Sequence, residues 1–411
     1  MSSEVEQKKS GREQLWNSDT IYSLGLYRTL GKVLGIWPSD SNRLSSYIRV
    51  ASVTIIQLWM SIRLTEQLLT KGNCGIITDI VDVLSLITCG LLTALKVLLP
   101  RIHKHKMEII INSAVEDWAE RVNRKSRNIM FRFAKIGRVV FITQMIGAYV
   151  AGFPLIFAHL PFISILWTDQ LNSSVMVRNV PIGPNCWISP DWPASYYVAH
   201  YVLQSIQLLV VCTGYIGGDT FFFGMAMHVC GQFEVLYTRM KDLQGIRNSK
   251  IQRRIIAEFC RRHNHLLMLA DNFEKIYNII ILAQVGADTL LTCITGIVLL
   301  ISIQSLDFVI VIGLVVRIYL VCIQLFMYSY VGEQLSSQAE KLRMAIYDSP
   351  WYDMPPDLMR DMSLIIMRCD YSYYLTAGKI YTMNICNFKN IIKTMTSYFS
   401  ILRLMFIDEP E

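Results

Sequence analysis

Four residues near the end of the chain have the types and spacing to line a narrow path. On a helix turning about 100° per residue, Thr394, Ser397, Ile401 and Leu404 share one face, and Met395, Phe399, Leu402 and Phe406 share the opposite one. The first face is hydroxylic below and aliphatic above. Several copies around an axis would enclose a narrow water-filled path, and an aliphatic ring can close such a path by dewetting. The same spacing also fits an ordinary membrane helix with small residues at its contact face. Lys393 lies within about 80° of the first face, where a ring of lysines would repel cations; it reads as turned into a subunit seam or toward an acidic partner. No nucleophile, acid–base pair or metal set converges at one depth, so neither an enzyme nor a catalytic residue is expected. His263 and His265 stand two apart and do not share a helix face. The ten cysteines contain no CxxC pair, so no metal site and no cofactor is expected.

A second set could hold a ligand. Tyr149, Phe153, Phe157, Tyr197, Tyr201, Gln204, Thr292 and Thr295 fall in the outer halves of apolar segments, mostly aromatic with two hydroxyls and one amide. A largely apolar cavity with sparse polar groups suits a small volatile molecule bound by burial, at about 25 cal/mol per Å². Ordinary helix packing uses the same aromatic stripes. Two charges, Asp288 and Arg317, lie roughly 15 Å and 20 Å from the inner ends of their segments and are expected to meet as a buried ion pair.

The elements that position these residues are membrane spans. A chain of 411 residues with 53% hydrophobic and 17% charged content is too apolar for a soluble protein of that length. The predicted fold is an all-α integral membrane protein. Seven spans are expected: 44–69, 74–99, 133–160, 193–224, 279–303, 306–330 and 376–406. Residues 1–43 form a polar tail that turns amphipathic around Tyr22, Leu26, Leu30 and Val33. They hold no signal-peptide core, so the first span is expected to act as its own insertion signal. Residues 225–278, which read as two helices, and 331–375 are basic or polar helical regions, 161–192 is a proline-containing loop, and 407–411 is a short tail.

Lys and Arg number about 27 on one side and about three on the other, which predicts a cytosolic amino terminus and an extracellular carboxyl terminus. The net charge of +7 sits between apolar runs, as a membrane surface requires and nucleic acid does not. Asn172, in Asn172-Ser173-Ser174, is the one N-x-S/T sequon and falls in the outer loop. Cys74 and Cys186 fall on the same side, where a bridge and two free thiols are both open.

Leu375-Thr376-Ala377-Gly378-Lys379, followed by Lys393, Ser397-Tyr398-Phe399 and Leu402-Arg403, resembles the terminal signature of insect odorant receptors. Cys230-Gly231-Gln232-Phe233-Glu234 also resembles that family. Gustatory receptors carry a Gln-Phe pair where this chain has Leu404 and Met405, so the odorant branch fits better. The resemblance implies a tetrameric, ligand-gated, non-selective cation channel whose last helices line the pore, with Ile401 at the constriction and Thr394 and Ser397 below it. It implies odorant binding in the outer bundle and a coreceptor as partner at the plasma membrane of a sensory neuron. The larger cytosolic insertion of the coreceptor is absent, so the chain reads as a tuning subunit. Two alternatives stay open: a seven-span receptor that signals through a partner without conducting, and a gustatory-receptor-like channel.

Overall fold

The computed structural model describes residues 15–37, 44–72, 77–120, 123–157, 160, 178–189, 191–241, 248–304, 308–369 and 373–407. The expectations for Cys74 and Asn172 fall outside them. Helices α1 (Ser18–Leu34), α2 (Leu44–Lys71), α3 (Ile77–Ile102), α4 (Lys104–Ala119) and α5 (Arg124–Phe157) come first. Next, α6 (Ala194–Val211) runs through a π-helical turn, Cys212–Ile216, into α7 (Gly217–Lys241). Helices α8 (Ser249–Gln304), α9 (Phe308–Tyr347) and α10 (Pro356–Cys369) follow. A small hairpin of β1 (Thr376–Ala377) and β2 (Tyr381–Thr382) then leads into α11 (Ile385–Ile407).

Five helical stretches among the described residues are long and apolar enough to cross a bilayer: Thr78–Ile102, Arg124–Phe157, Ala194–Lys241, Ser249–Ile303 and Ile310–Asp353. They correspond to the second to sixth expected spans. Helices α2 and α11, at the first and seventh, have 28 and 23 residues, roughly 42 and 35 Å against a hydrocarbon core of about 30 Å. The low hydropathy of α2 has a structural cause. Ser46, Thr54, Gln57 and Ser61 form a buried stripe facing other helices, while Ile55, Ile62 and Leu69 point outward. Small and polar residues inside with aliphatic residues outside is the pattern of a helix packed in lipid.

Helices α8 and α9 have 56 and 40 residues, roughly 84 and 60 Å, and so extend far past any bilayer. The expected boundary between residues 278 and 279 falls inside α8 without a break. The 225–278 region does contain two helices, the end of α7 and the start of α8. The main core joins α1, α4, α7 and α10 with the first half of α8 and the second half of α9. A smaller one joins α2, α3 and α6.

Helix α1 is capped by Asn17, whose Oδ1 accepts the Thr20 N–H at 2.8 Å, and it ends at Gly35 in the left-handed region. Its buried face is Leu24, Tyr27, Leu30 and Leu34. Of the stripe expected from the sequence, Leu30 is buried, whereas Tyr22 and Val33 are exposed. The reason is a close approach: the Tyr27 ring lies over Gly224 of α7 and fills the space a Cβ would need there.

Candidate functional site

The last helix is set by the hairpin before it. Expected from sequence as one span over 376–406, the segment instead pairs Thr376 with Thr382 and Ala377 with Tyr381 at its start. Gly378 and Lys379 both take positive φ, 61° and 62°, which a helix forbids and a tight turn uses. Docking on α8 fixes this conformation. The Tyr373 hydroxyl donates to the Ala270 carbonyl at 2.6 Å, the Thr376 N–H to Glu274 at 2.9 Å, and the Gly378 N–H to the Asn278 carbonyl at 2.9 Å. Ala270, Glu274 and Asn278 recur every four residues, so the chain lies along one stripe of α8. A Cβ on Gly378 would stand 2.5 Å from Leu282 Cδ2, the next residue of that stripe.

Helix α11 begins just beyond. Asn384 Oδ1 accepts the Asn387 N–H at 2.6 Å, and Glu333 of α9 accepts the Ile385 N–H at 3.3 Å, placing a carboxylate where the helix dipole favours one. One face of α11 is held. Ile391 and Met395 are buried with Val321 and Leu325 of α9, Phe388 meets Phe326 edge-on at 5.6 Å, and Phe399 covers Gly296 of α8. On the other face Lys393, Thr394, Ser397 and Ile401 are exposed, Ile401 at 55%. Thr394 and Ser397 donate to the Asn390 and Lys393 carbonyls at 2.9 Å each. Their hydroxyls are thereby satisfied within the helix. Lys393 makes no ion pair among the described residues; the side chain of Leu404 is not among those described.

The residues expected around a ligand divide among three elements. Tyr149, Phe153 and Phe157 form a ladder on α5, with ring centroids 5.5 and 5.9 Å apart; the first donates to or accepts from Thr213 at 2.8 Å, and the last two are half-exposed. Tyr197, Tyr201 and Gln204 are buried along α6. Tyr197 donates to the Asn179 carbonyl at 2.7 Å, Tyr201 to the Ile156 carbonyl, and Gln204 to the Ile182 carbonyl at 3.2 Å. On α8, Thr295 is buried and donates to the Leu291 carbonyl at 2.7 Å, while the Thr292 hydroxyl is buried with no partner. Beyond the helices, Cys186 is disulfide-bonded.

The expected Asp288–Arg317 pair does not form. Arg317 instead bonds Asp82 of α3, and donates to Ser85 at 3.1 Å. Depth along each helix matched the two charges, but helix rotation decides partners: Arg317 faces α3, where the pair keeps contact with the surroundings, and Asp288 faces the interior. There the Gln284 amide donates to both its carboxylate oxygens at 2.9 Å.

Asp288 belongs to a larger buried network that the sequence reading passed over. Lys96 of α3 and Asp219 of α7 pair at 2.7 Å with side chains 2% and 1% exposed. The Lys96 ammonium also sits 3.6 Å above the Tyr215 ring, and Tyr328 and Gln324 of α9 both donate to the Asp219 carboxylate. The Gln284 amide donates to the Tyr215 hydroxyl at 2.7 Å, which in turn donates to Gln324 at 2.9 Å. The π turn supplies Tyr215, in keeping with the frequent use of such turns at special sites. One lysine, two aspartates and their amide and phenol partners therefore tie α3, α7, α8 and α9 together. The signal was present: Lys96 stands in Leu91–Leu99 as the one charge of an apolar run, the same signal that singled out Asp288.

The whole arrangement has known counterparts. A family profile described as 7tm Odorant receptor matches residues 76–396. Odorant receptor 13a of Drosophila melanogaster is 22% identical over 92% of this chain and 95% of its own length. Odorant receptor 47a of the same species is 25% identical over 51% of this chain and 55% of its own. Among solved structures, the insect olfactory receptor OR5 from Machilis hrabei in complex with eugenol superposes with a TM-score of 0.75 at 14% identity, covering 94% of this chain and 100% of that one. A second structure of the same receptor gives 0.73 at 13% identity, covering 94% and 99%. Five apolar membrane-length helices and an odorant-receptor profile over most of the sequence lead to one assignment: the chain belongs to the 7tm odorant receptor family.

Proposed function

We propose that this odorant receptor is the tuning subunit of a ligand-gated, non-selective cation channel, assembled with coreceptor subunits as a tetramer in the plasma membrane. The observation that carries the reading is the unpartnered face of α11. An apolar helix docked on α8 and α9 by Ile391, Met395 and Phe399 leaves Thr394, Ser397 and Ile401 uncovered in the single chain. A fourfold arrangement would close that face around an axis, with Ile401, and Leu404 one turn on, as an aliphatic gate and the hydroxyls below. Opening then requires the aliphatic side chains to turn away. The outer halves of α5, α6 and α8, through Tyr149, Phe153, Phe157, Tyr197, Tyr201, Gln204, Thr292 and Thr295, form the region where a small volatile ligand biases that rotation. In this reading the amino terminus is cytosolic, the carboxyl terminus is extracellular and lipid surrounds the spans.

The test is whole-cell recording with and without coreceptor during an odorant panel. Cys386 is exposed on the same helix, so the background is Cys386→Ser. A thiol reagent is expected to change the coreceptor-dependent odorant current of Ile401→Cys and to leave the background untouched. Current that the reagent leaves unchanged in Ile401→Cys, with neighbouring positions accessible, removes Ile401 from the pore. Silence with verified surface expression and a broad panel removes the channel reading.

A further inference from the structure

Outside the pore helix and the buried network, the polar groups with the weakest account of themselves lie on α6. His200, Gln204 and Gln207 fall within about 60° of one another on that helix, a stripe one to two turns long. Gln204 and Gln207 are 7% and 3% exposed. Gln204 spends its amide nitrogen on the Ile182 carbonyl and keeps a buried Oε1 with no partner, which fixes that atom as an acceptor. Gln207 has a buried Nε2 with no partner, and His200 a buried Nδ1 with none. A buried polar group left unmet costs about 1–3 kcal/mol, and here three stand in line.

All three line one cleft between α6 and α2, of about 220 Å³, whose other wall is Trp59, Met60 and Leu64. At its rim Arg63 is already matched by Glu66 at 2.7 Å, so the cleft holds no spare cation to attract an acid. One side is thus apolar, the other a ladder of acceptor and donor, and no net charge asks for a counterion.

We infer that this cleft is a second ligand site, on the α2 side of α6 and adjoining the region proposed above for the odorant at Gln204, and that it takes a neutral amphiphile with a hydroxyl head and a hydrocarbon body. Gln204 Oε1 and Gln207 Nε2 lie just beneath the cleft surface, and once a small shift of the two side chains opens them to the cleft, a hydroxyl is the smallest group that answers both amides: it donates to Gln204 Oε1 and accepts from Gln207 Nε2. The aliphatic body lies on Met60 and Leu64, with the Trp59 ring at the edge. The volume fits a molecule of roughly ten carbon atoms or the head portion of a larger one. A free aliphatic alcohol and a membrane sterol share this chemistry. Gln204, expected from sequence to face the odorant cavity, also lines this cleft.

The test uses the full-length chain with its coreceptor in sterol-free nanodiscs and a diazirine-bearing analogue of 1-decanol, with labelled peptides mapped by mass spectrometry. Labelling is expected within residues 55–67 and 196–210, blocked by 1-decanol and about tenfold less well by decane, as the loss of one hydrogen bond implies. Gln207→Leu is expected to cut labelling about tenfold while its melting temperature stays the same or rises, since an unmet donor is exchanged for apolar contact. A purely structural amide would instead lower the melting temperature. Protection by ergosterol in the nanodisc assigns the site to membrane sterol, and protection by 1-decanol without any by ergosterol assigns it to a free alcohol. Equal competition by decane, labelling confined to other helices, or unchanged labelling in Gln207→Leu overturns the proposal.

Discussion

At the scale of single residues, burial decides how much a charge matters. Lys96 and Asp219 sit within 2.7 Å of each other with almost no exposure, so neither can be removed alone. Lys96→Met leaves the Asp219 carboxylate buried with only phenol and amide donors. It is expected to destabilise the fold by about 3–5 kcal/mol, read as a fall in melting temperature of the purified receptor. Lys96→Met combined with Asp219→Asn removes both charges and is expected to recover most of that loss. A double variant as unstable as the single one would show that the pair's worth lies in its hydrogen bonds to Tyr328 and Gln324. The Arg317–Asp82 pair makes the contrast. Its side chains are 29% and 55% exposed, so a charge left single there keeps an outlet that the Lys96–Asp219 pair lacks, and Asp82→Asn is expected to lower the melting temperature less than Lys96→Met does. Neither outcome follows from the sequence, which gives the depth of a charge along its helix but not the direction in which it points. That is why Asp288 and Arg317 seemed partners, and why the lone charge of Lys96 in its apolar run gave no hint that Asp219 was its partner.

At the scale of elements, two docking contacts carry the load. The hairpin before α11 needs Gly378 for a positive φ and for room beside Leu282. Gly378→Val strains the turn and drives a side chain into α8, at a cost of about 1–3 kcal/mol. Because α11 hangs from this hairpin, the expected readout is a shifted odorant dose–response together with lower surface expression; wild-type behaviour would show that the hairpin does not set the helix. The second contact is Asp117 on α4. It is buried and bonds His228 of α7 at 3.1 Å and Arg262 of α8 at 2.5 Å. Burial works to raise this carboxyl, but the hydrogen bond and charge of His228 and the charge of Arg262 outweigh it and hold the carboxyl below its ordinary value. A depressed folded-state value adds stability above the ordinary carboxylate range that disappears as pH falls through the folded value. Wild-type receptor is therefore expected to lose melting temperature more steeply than Asp117→Asn as pH falls from about 5 toward 3; parallel losses would clear Asp117 of this role. The existence of the helices was legible because apolar runs of that length have few other uses, whereas the length of α8 and α9 was not, because polar turns continue both helices past their apolar runs. The hairpin was not, because Leu375–Lys379 is apolar enough to continue a helix, and only contacts with Glu274 and Asn278, a hundred residues earlier, fix its conformation.

At the scale of the whole molecule, charge and core gather at the same end. The ion pairs Arg127–Asp19, Arg132–Glu234, Arg239–Glu258 and Arg253–Asp357 link α1, α5, α7, α8 and α10 around the main core. The exposed aliphatic surface lies on α2, α5 and the first half of α9, where Ile62, Val150 and Ile312 are each more than half exposed. A molecule built this way has a water-facing end made by the same long helices that cross the bilayer. In the proposed orientation this end faces the cytosol, the side on which membrane proteins carry their excess of Lys and Arg. This orientation has a direct consequence for accessibility. An epitope at the amino terminus is expected to stain only after permeabilisation, and one at the carboxyl terminus in intact cells. Asn172→Gln is expected to remove a glycosidase-sensitive shift in gel mobility, since the sequon is then on the lumenal side during synthesis. Amino-terminal staining of intact cells would reverse the orientation. It would also put the aliphatic side of the Thr394, Ser397 and Ile401 face at the inner mouth of the pore, so that a thiol reagent applied from outside would meet the hydroxyls first and Ile401 last.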